Sequence, residues 1–233
     1  MRQLPRSILV AVALTAVLSP VTAEAQPKAI RLFNGQDLSG WSHFLVDPKV
    51  PATDVWSVHD GVLVCKGEPL GYLYTTTEHT SFRLVVEWRW APGAAARLGK
   101  VPNSGVLLRV NEEPKPKGVP RAYEAQLQAG NAGDLYGFWG MPLDGDAGRR
   151  REARSHVLLG DMVGFTKTEA AEKPEGEWNV YEITLDGPSL VVLVNGKKVN
   201  EARGATVLPG RIGLQSEGGE IHFRRVELWL IGN

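Results

Sequence analysis

The stretch Trp56-Ser57-Val58-His59-Asp60-Gly61-Val62-Leu63-Val64 places two short apolar-rich runs on either side of an Asp-Gly pair. Asp-Gly tolerates positive φ angles at both positions and is therefore a strong signal for a tight β-hairpin turn. The segment 190–199 repeats this arrangement around the pair Asn195-Gly196. The sequence predicts a hairpin at each of these two places.

The chain on either side of these hairpins has the same character. Short apolar or alternating runs are separated by turn residues, without the sustained 3.6-residue periodicity of helices. Further strands are predicted at 82–90, 104–110, 122–128, 178–185, 211–216 and 221–230. The segment 138–173 carries many Gly and Arg residues and is expected to be a long surface loop. The pattern as a whole predicts an all-β domain of nine or ten strands.

Composition and charge limit the classes of protein that fit. The 233 residues include 43% apolar and 22% charged residues, which is typical of one soluble globular domain. Lys and Arg together number 26, as do Asp and Glu, so no positive field is available to hold nucleic acid. Cys65 is the single cysteine, which excludes an intrachain disulfide, and its apolar surroundings predict that it packs in the core.

The N-terminus has the features of a secretory signal peptide. Two Arg residues precede a short apolar run at 8–18, and the small residues Ala23 and Ala25 follow it. We expect residues 1–25 to be removed and residues 26–233 to form a single domain that is periplasmic or secreted. No membrane contact is expected after cleavage, and the sequence makes no prediction of oligomeric state.

Polar side chains alternate with apolar ones along three of the predicted strands. Because successive side chains of a strand point to opposite faces, these polar residues should share one face of a sheet. The set is Arg109, Glu124, Gln126, Gln128, Gln215 and Glu217. Glu and Gln are poor strand formers, so their clustering suggests a function rather than local stability. The alternative reading is a solvated outer face.

A series of motifs in a fixed order carries a family resemblance. The first motif is Leu32-Phe33-Asn34-Gly35-Gln36-Asp37-Leu38-Ser39-Gly40-Trp41. Later blocks lie at 56–64, 103–109, 123–127, 133–137, 174–179, 195–196, 210–215 and 221–226. Together they span nearly all of the chain after the signal peptide, and the ordered set resembles the 3-keto-disaccharide hydrolase family.

This resemblance implies a fold and a chemistry. The fold is a concanavalin-like jelly-roll sandwich of two antiparallel sheets with a concave sugar-binding face. The chemistry is hydrolysis of glycosides whose sugar is oxidised at C3, so the expected partner is a carbohydrate substrate. The ketone acidifies the C2 proton, so a base removes it, the aglycone leaves from C1, and water adds to the resulting enone. The segment 138–173 departs from the shorter family pattern.

Candidate roles follow from side-chain chemistry. Glu124 is the candidate base, or else a carboxylate ligand of a divalent cation. Arg109 is the candidate for stabilising the ketone or enolate oxygen, because its charge is fixed and it has several donors. His156 is a candidate acid, base or metal ligand near neutral pH. The residues expected to bind substrate hydroxyls or sugar rings are Asn103, Gln126, Gln215, Glu217, Tyr136 and Trp139.

Two further readings stay open at this stage. A two-carboxylate glycosidase mechanism could use Glu124 and Glu217, whose separation the sequence does not determine. A carbohydrate-binding module without catalysis would need the polar face and the aromatic rings but no acid or base. No cofactor is predicted with certainty, and the chain has no His-x-x-x-His metal signature, so a divalent cation is left open.

Overall fold

A computed structural model describes residues 28–111 and 118–232. The strands in chain order are β1 (Ile30–Arg31), β2 (Trp41–Leu45), β3 (Trp56–His59), β4 (Val62–Cys65), β5 (Gly71–Thr75), β6 (Phe82–Trp90), β7 (Gly105–Val110), β8 (Tyr123–Gln126), β9 (Leu135–Gly137), β10 (Arg150–His156), β11 (Gly160–Phe165), β12 (Asn179–Asp186), β13 (Ser189–Val194), β14 (Lys197–Ala202), β15 (Arg211–Ser216) and β16 (Ile221–Leu230). Two short helices, α1 (Ala52–Val55) and α2 (Ala94–Leu98), and a 3₁₀ turn at Ala147–Arg149 join them. The predicted signal peptide lies outside the described residues.

The strands form two antiparallel sheets of eight strands each. The first sheet has the order β14-β13-β12-β6-β16-β4-β3, and β1 pairs with β16. The second sheet has the order β10-β11-β9-β8-β7-β15-β5-β2. The all-β jelly-roll prediction is confirmed and both predicted hairpins are present, but the described residues form sixteen strands instead of the nine or ten predicted. Their turns have positive φ at Asp60 (51°), Gly61 (77°), Asn195 (52°) and Gly196 (80°).

The core lies between the sheets and is filled from both sides by alternate strand residues. From the first sheet, Trp88 and Phe223 are fully buried, and from the second sheet Tyr123 and Leu214 are buried against them. Cys65 is fully buried in this core, and burial raises the pKa of its thiol to about 11. The prediction that Cys65 packs as a small apolar residue is therefore confirmed.

A second apolar cluster lies on the opposite side of the second sheet, away from the first sheet. Its buried members are Tyr72, Leu107, Val110, Val119, Ala122 and Phe138. Chain segments outside the strands, including 119–122 and the connection after β9, cover part of this side of the sheet. One part of this face is therefore covered by apolar residues and the other part is polar. The covering segments rise above the sheet, so a pocket can form beside them.

The segment 138–173 is not the long loop that its composition predicts. It contains the paired strands β10 and β11, with β10 at the edge of the second sheet. Nearly every residue of β10 is exposed, so this strand lacks the apolar alternation by which strands are identified from sequence. Among the described residues, no helix is long and apolar enough to cross a membrane.

Candidate active site

A pocket of about 270 Å³ opens on the half-apolar side of the second sheet. Its polar residues are Asn103, Glu124, Gln126, Gln128, Gln215 and Glu217. Its apolar and aromatic walls are Val119, Tyr136, Phe138, Leu159 and Met162. Six of the nine residues predicted to form the site come together here: Asn103, Glu124, Gln126, Tyr136, Gln215 and Glu217.

Strand alternation puts the acidic and amide side chains in this pocket. Tyr123 and Ala125 of β8 pack in the core between the sheets, so Glu124 points to the other side. Ile212 and Leu214 of β15 are also in that core, and Gln215 therefore projects to the same side as Glu124. The polar pattern of these two strands thus marks a pocket rather than a solvated face.

A glycine on the strand between them lets these two side chains approach each other. Gly105 of β7 is paired with Gln126 of β8, and β7 also pairs with β15. A Cβ atom added at Gly105 would overlap both Glu124 Oε1 and Gln215 Oε1. The two oxygen atoms therefore occupy the space directly above the Gly105 backbone, a space that only glycine leaves free.

Three buried oxygen atoms in the pocket have no hydrogen-bond partner. They are Asn103 Oδ1, Glu124 Oε1 and Gln215 Oε1, and Glu124 and Gln215 are only 2% and 1% exposed. Buried polar atoms are nearly always paired in native proteins, because an unpaired one costs the full desolvation penalty. Three unpaired acceptors in one pocket indicate that a group with hydrogen-bond donors completes it.

The two carboxyl groups of the pocket are electrostatically unusual. Burial raises the pKa of Glu124 well above its ordinary range, and the nearby Glu217 and Asp134 raise it further. Burial also raises the pKa of Glu217, to about 7, although the Asn103 side chain and Lys100 act to lower it. Pairs of carboxyl groups with such shifted pKa values are typical of proton-transfer sites.

Two further polar groups border the carboxyl pair. The Gln126 side-chain oxygen accepts hydrogen bonds from the backbone N–H groups of Leu127 and Gln128, both at 2.9 Å. Tyr136 is stacked on Phe138 with ring centroids 6.1 Å apart, and its hydroxyl lies 3.4 Å from Asp134 Oδ2. Burial and the charge of Asp134 raise the pKa of Tyr136, so its phenol stays protonated as a donor.

The prediction that Arg109 projects into the polar face is wrong. Its guanidinium donates to the carbonyl oxygens of Thr80 (2.9 Å), Thr206 (2.6 Å) and Gly187 (2.8 Å), and the side chain is fully buried. The cause is a bulge in β7, where two residues lie opposite Ile212 of β15 and Arg109 has a φ of 52°. The bulge inverts the alternation, so Val110 faces the apolar wall instead.

His156 and Trp139 also lie outside the pocket lining. His156 is exposed at the end of β10, where its Nδ1 accepts a hydrogen bond from the Leu158 N–H at 3.2 Å. Trp139 contacts the wall residue Val119 from outside the pocket, because its Nε1 donates to the Val119 carbonyl oxygen at 2.7 Å. Its ring also fills the space beside Gly160. Trp139 therefore holds the wall in place and does not itself line the cavity.

Sequence reasoning missed several residues that shape the pocket. Val119, Phe138 and Leu159 lie in connecting segments and Met162 lies in β11, and in a sequence these apolar residues cannot be told from core residues. Asp134 lies 5% exposed beneath Tyr136, where it accepts a hydrogen bond from the Lys167 N–H at 2.8 Å. Its place in the motif at 133–137 is the signal that could have identified it.

The pocket offers only oxygen atoms to a metal ion. Asn103, Glu124, Gln215 and Glu217 would suit a hard cation such as Ca²⁺. Only two of these four side chains are carboxylates, and no cluster of three or more His, Cys, Asp or Glu side chains is found in residues 28–111 and 118–232. This donor set is poorer in charge than sites that bind Ca²⁺ tightly, and we assign no metal to it.

Comparison with solved structures supports the fold. A "putative glycosyl hydrolase" from Parabacteroides distasonis has a TM-score of 0.60 at 20% identity, with 88% of this chain and 94% of that chain covered. The β-glucanase of Bacillus licheniformis has a TM-score of 0.55 at 10% identity, covering 90% and 100%. The carbohydrate-binding module CBM66 of Bacillus subtilis has a TM-score of 0.54 at 10% identity, covering 80% and 93%. At these identities the likeness concerns the fold alone.

Sequence comparison is more specific. A search of curated protein sequences gives no significant match. The model of one domain family, however, matches residues 28–228, which is nearly the whole of the described chain. The chain therefore belongs to the 3-keto-alpha-glucoside-1,2-lyase-like domain family.

Proposed function

We propose that this protein cleaves glycosides whose sugar ring carries a ketone at C3. The observation that carries the proposal is the pair of carboxyl groups, Glu124 and Glu217, in one pocket with the unpaired oxygen atoms of Asn103 and Gln215. Sugar hydroxyl groups are donors and would supply the hydrogen bond that Asn103 Oδ1 lacks. Apolar walls with a few polar groups at one point are typical of small-ligand sites.

The reaction that suits this pocket is an elimination. A ketone at C3 acidifies the proton on C2, so one carboxyl group of the pair removes that proton. The other donates a hydrogen bond to the ketone oxygen, on which negative charge develops. The bond from C1 to the aglycone oxygen then breaks, leaving a double bond between C1 and C2. Water can add to this enone afterwards, which makes the overall change a hydrolysis.

The family name favours elimination over a direct two-carboxylate glycosidase mechanism, because it describes a 1,2-lyase activity on 3-keto-alpha-glucosides. No positive side chain lines the pocket among the described residues. Arg109 is engaged by backbone carbonyl groups, so neutral donors have to stabilise the enolate oxygen. Tyr136 lines the pocket, but its hydroxyl already donates to Asp134, so the neutral carboxyl group of the pair is the donor that remains.

The direct test is cleavage of matched substrates. The purified protein is incubated with 3-keto and unoxidised forms of several glucosides and disaccharides, and aglycone release is followed. We expect release from the keto forms alone, and none from a variant in which Glu124→Gln and Glu217→Gln are combined. A Glu201→Gln variant is the matched control, since Glu201 is exposed and paired with Lys198. Equal cleavage of oxidised and unoxidised forms would contradict the proposal.

A second candidate function is carbohydrate binding without catalysis. The observation in its favour is the fold similarity to the CBM66 module of Bacillus subtilis. A binding module needs the unpaired acceptors but not the shifted carboxyl groups. If sugars bind, no form is cleaved, and the double variant keeps its affinity, this second function replaces the first.

We also propose that the protein acts outside the cytoplasm. The support is the sequence of residues 1–25, with its basic start, its short apolar run and the small residues before the expected cleavage point. N-terminal sequencing of the protein recovered from the periplasm or the medium should begin at Gln26. Recovery of the uncleaved chain from the cytoplasm would contradict this location.

A further inference from the structure

We propose that Glu124 carries a proton in the free protein and shares it with Gln215 Oε1, which leaves Glu217 as the base of the site. The first half concerns the free protein alone. The second half rests on the proposed elimination. The sequence analysis makes Glu124 the candidate base or a cation ligand and Glu217 a binder of hydroxyl groups, so this assignment reverses the roles of the two residues.

The first argument is that two buried acceptors face each other. Glu124 Oε1 and Gln215 Oε1 both border the space above Gly105, and neither has a donor within reach. Two oxygen lone pairs in a buried space repel each other. A proton on the Glu124 carboxyl group turns this contact into a hydrogen bond and satisfies both atoms at once.

The second argument is the charge around Glu124. The titratable groups that influence it are Glu217, at the end of β15, and Asp134, just before β9, and both are acidic. Lys167 is held away from Glu124, because its Nζ donates to the Gly130 carbonyl oxygen at 2.7 Å and lies 3.9 Å from Asp134. A fully buried carboxyl group among acidic neighbours is stable only when it is neutral.

Glu217 has different surroundings. It lies at the partly exposed rim of the pocket, where the Asn103 side chain donates to it and Lys100 is nearby. Burial raises the pKa of Glu217 to about 7, and both neighbours counter this rise by favouring the negative carboxylate. The geometry thus separates the pair into one neutral donor in the floor of the pocket and one carboxylate at its rim.

The assignment gives a balanced reaction. Glu217 takes the proton from C2, and the C–H electrons form a C2=C3 enolate whose oxygen accepts a hydrogen bond from the protonated Glu124. When the C3 ketone re-forms, the bond from C1 to the aglycone oxygen breaks and C1=C2 is made. The proton on Glu217 passes to the leaving oxygen, so both carboxyl groups return to their starting state. A carboxylic acid kept neutral by its site is a known way to stabilise an enolate.

Gln215 is a positioning residue in this account, because it acts through Glu124. Its backbone is fixed by a hydrogen bond from Ser104 Oγ to its carbonyl oxygen at 2.9 Å, in the middle of the second sheet. Replacement by Met keeps the size and removes the acceptor. We expect Gln215→Met to change the pH dependence of turnover, because the Glu124 proton loses its partner, which a purely structural role would not do.

The first experiment detects the proton directly, without substrate. Infrared spectra of the full chain, labelled with ¹³C at Glu side chains, are recorded for the parent protein and for Glu124→Gln, Glu217→Gln and Glu201→Gln. The pH is about 9, where Glu217, with a pKa of about 7, is ionised and gives no acid band. We expect the stretching band of a neutral carboxylic acid in the parent protein, lost only in Glu124→Gln. Absence of the band, or its loss in Glu217→Gln alone, would overturn the proposal. An ionised Glu124 facing a reversed Gln215 amide would give that absence.

The second experiment tests the division of roles with a 3-keto glucoside. Gln at position 124 can still donate a hydrogen bond, but Gln at position 217 cannot accept a proton. We expect kcat to fall by about 10³-fold or more in Glu217→Gln and by only about 10-fold in Glu124→Gln, within the range for general base catalysis. The reverse order would overturn the base assignment.

Two other outcomes separate this inference from the proposed function. If a chelator abolishes turnover and Ca²⁺ or Mn²⁺ restores it while removing the infrared band, a cation replaces the proton and the inference is overturned. If the band belongs to Glu124 but no 3-keto glycoside is cleaved, the proton on Glu124 is supported. The proposed function then fails, and with it the base assignment.

Discussion

Acidic residues have opposite surroundings on the outer face of the first sheet and in the pocket of the second sheet. On the outer face, Arg83 contacts Glu182 at 2.5 Å, and Arg225 contacts Glu227 at 2.8 Å, all partly open to solvent. In the pocket, Glu124 is fully buried and has no cationic partner. Paired charges in water cost the fold little, whereas a buried unpaired carboxyl group destabilises it. The difference indicates that the pocket is shaped by function.

The largest effect is expected from filling the space above Gly105. A Cβ at this position overlaps Glu124 Oε1 and Gln215 Oε1, so Gly105→Ala should displace both side chains. Small displacements of reacting groups cost about 10²-fold in rate, and we expect kcat/KM to fall at least that far. The measurement is turnover of a 3-keto glucoside. Gly148→Ala is the control, because its Cβ meets only Asp146 Oδ1 at 3.4 Å, and equal activity of both variants would contradict the geometry.

Arg109 provides a second, purely structural comparison with Glu124. Its removal in Arg109→Met leaves three partly buried carbonyl oxygens without their charged donor, at Thr80, Thr206 and Gly187. Such losses destabilise a fold by about 3–5 kcal/mol. Urea unfolding should show this loss, while the folded fraction keeps its KM. If Arg109→Met is stable but inactive, Arg109 has a catalytic role and the structural assignment is contradicted.

The contribution of Glu217 to the free energy of unfolding should depend on pH. The pKa of Glu217 rises from 4.5 to about 7 on folding, so between these values the folded state binds more protons than the unfolded state. Stability therefore falls as pH rises through this window, by on the order of 3 kcal/mol at most. Relative to the parent, Glu217→Gln should gain stability between pH 4.5 and pH 8. A stability difference that is the same at both pH values would contradict the shift.

The smallest effect is expected on the outer face. Glu182→Gln removes the partner of a half-exposed Arg83, and exposed ion pairs contribute about 0–1 kcal/mol. Thermal unfolding at neutral pH should therefore differ little from the parent protein, and turnover should be unchanged. A loss above about 2 kcal/mol would mean that the two faces are less different than their exposure indicates.

The sequence predicts those parts of the site that obey strand alternation. Glu124 and Gln215 were found because β8 and β15 are regular, so period-2 counting gives the correct face. Arg109 was misplaced because a bulge adds one residue to β7, and bulges have no reliable sequence signal. The same counting fails on β10, where both faces are exposed.

The pocket walls could not be predicted for a different reason. Val119, Phe138 and Leu159 come from separate connecting segments, and only the tertiary fold brings them to one side of the second sheet. These segments also determine that Glu124 lies buried at the floor of the pocket while Glu217 lies at its rim. Residue types thus identify the chemistry, whereas the environment that assigns their roles appears only in three dimensions.

The most direct test of the account is the isotope effect of a 3-keto glucoside deuterated at C2. If the pocket removes the C2 proton before or as the aglycone leaves, the deuterated substrate should be cleaved clearly more slowly under single-turnover conditions. The unsaturated ketone should also be detectable before water adds to it. Equal rates for both substrates, with no unsaturated product, would show that the bond at C1 breaks without loss of the C2 proton and would contradict the elimination.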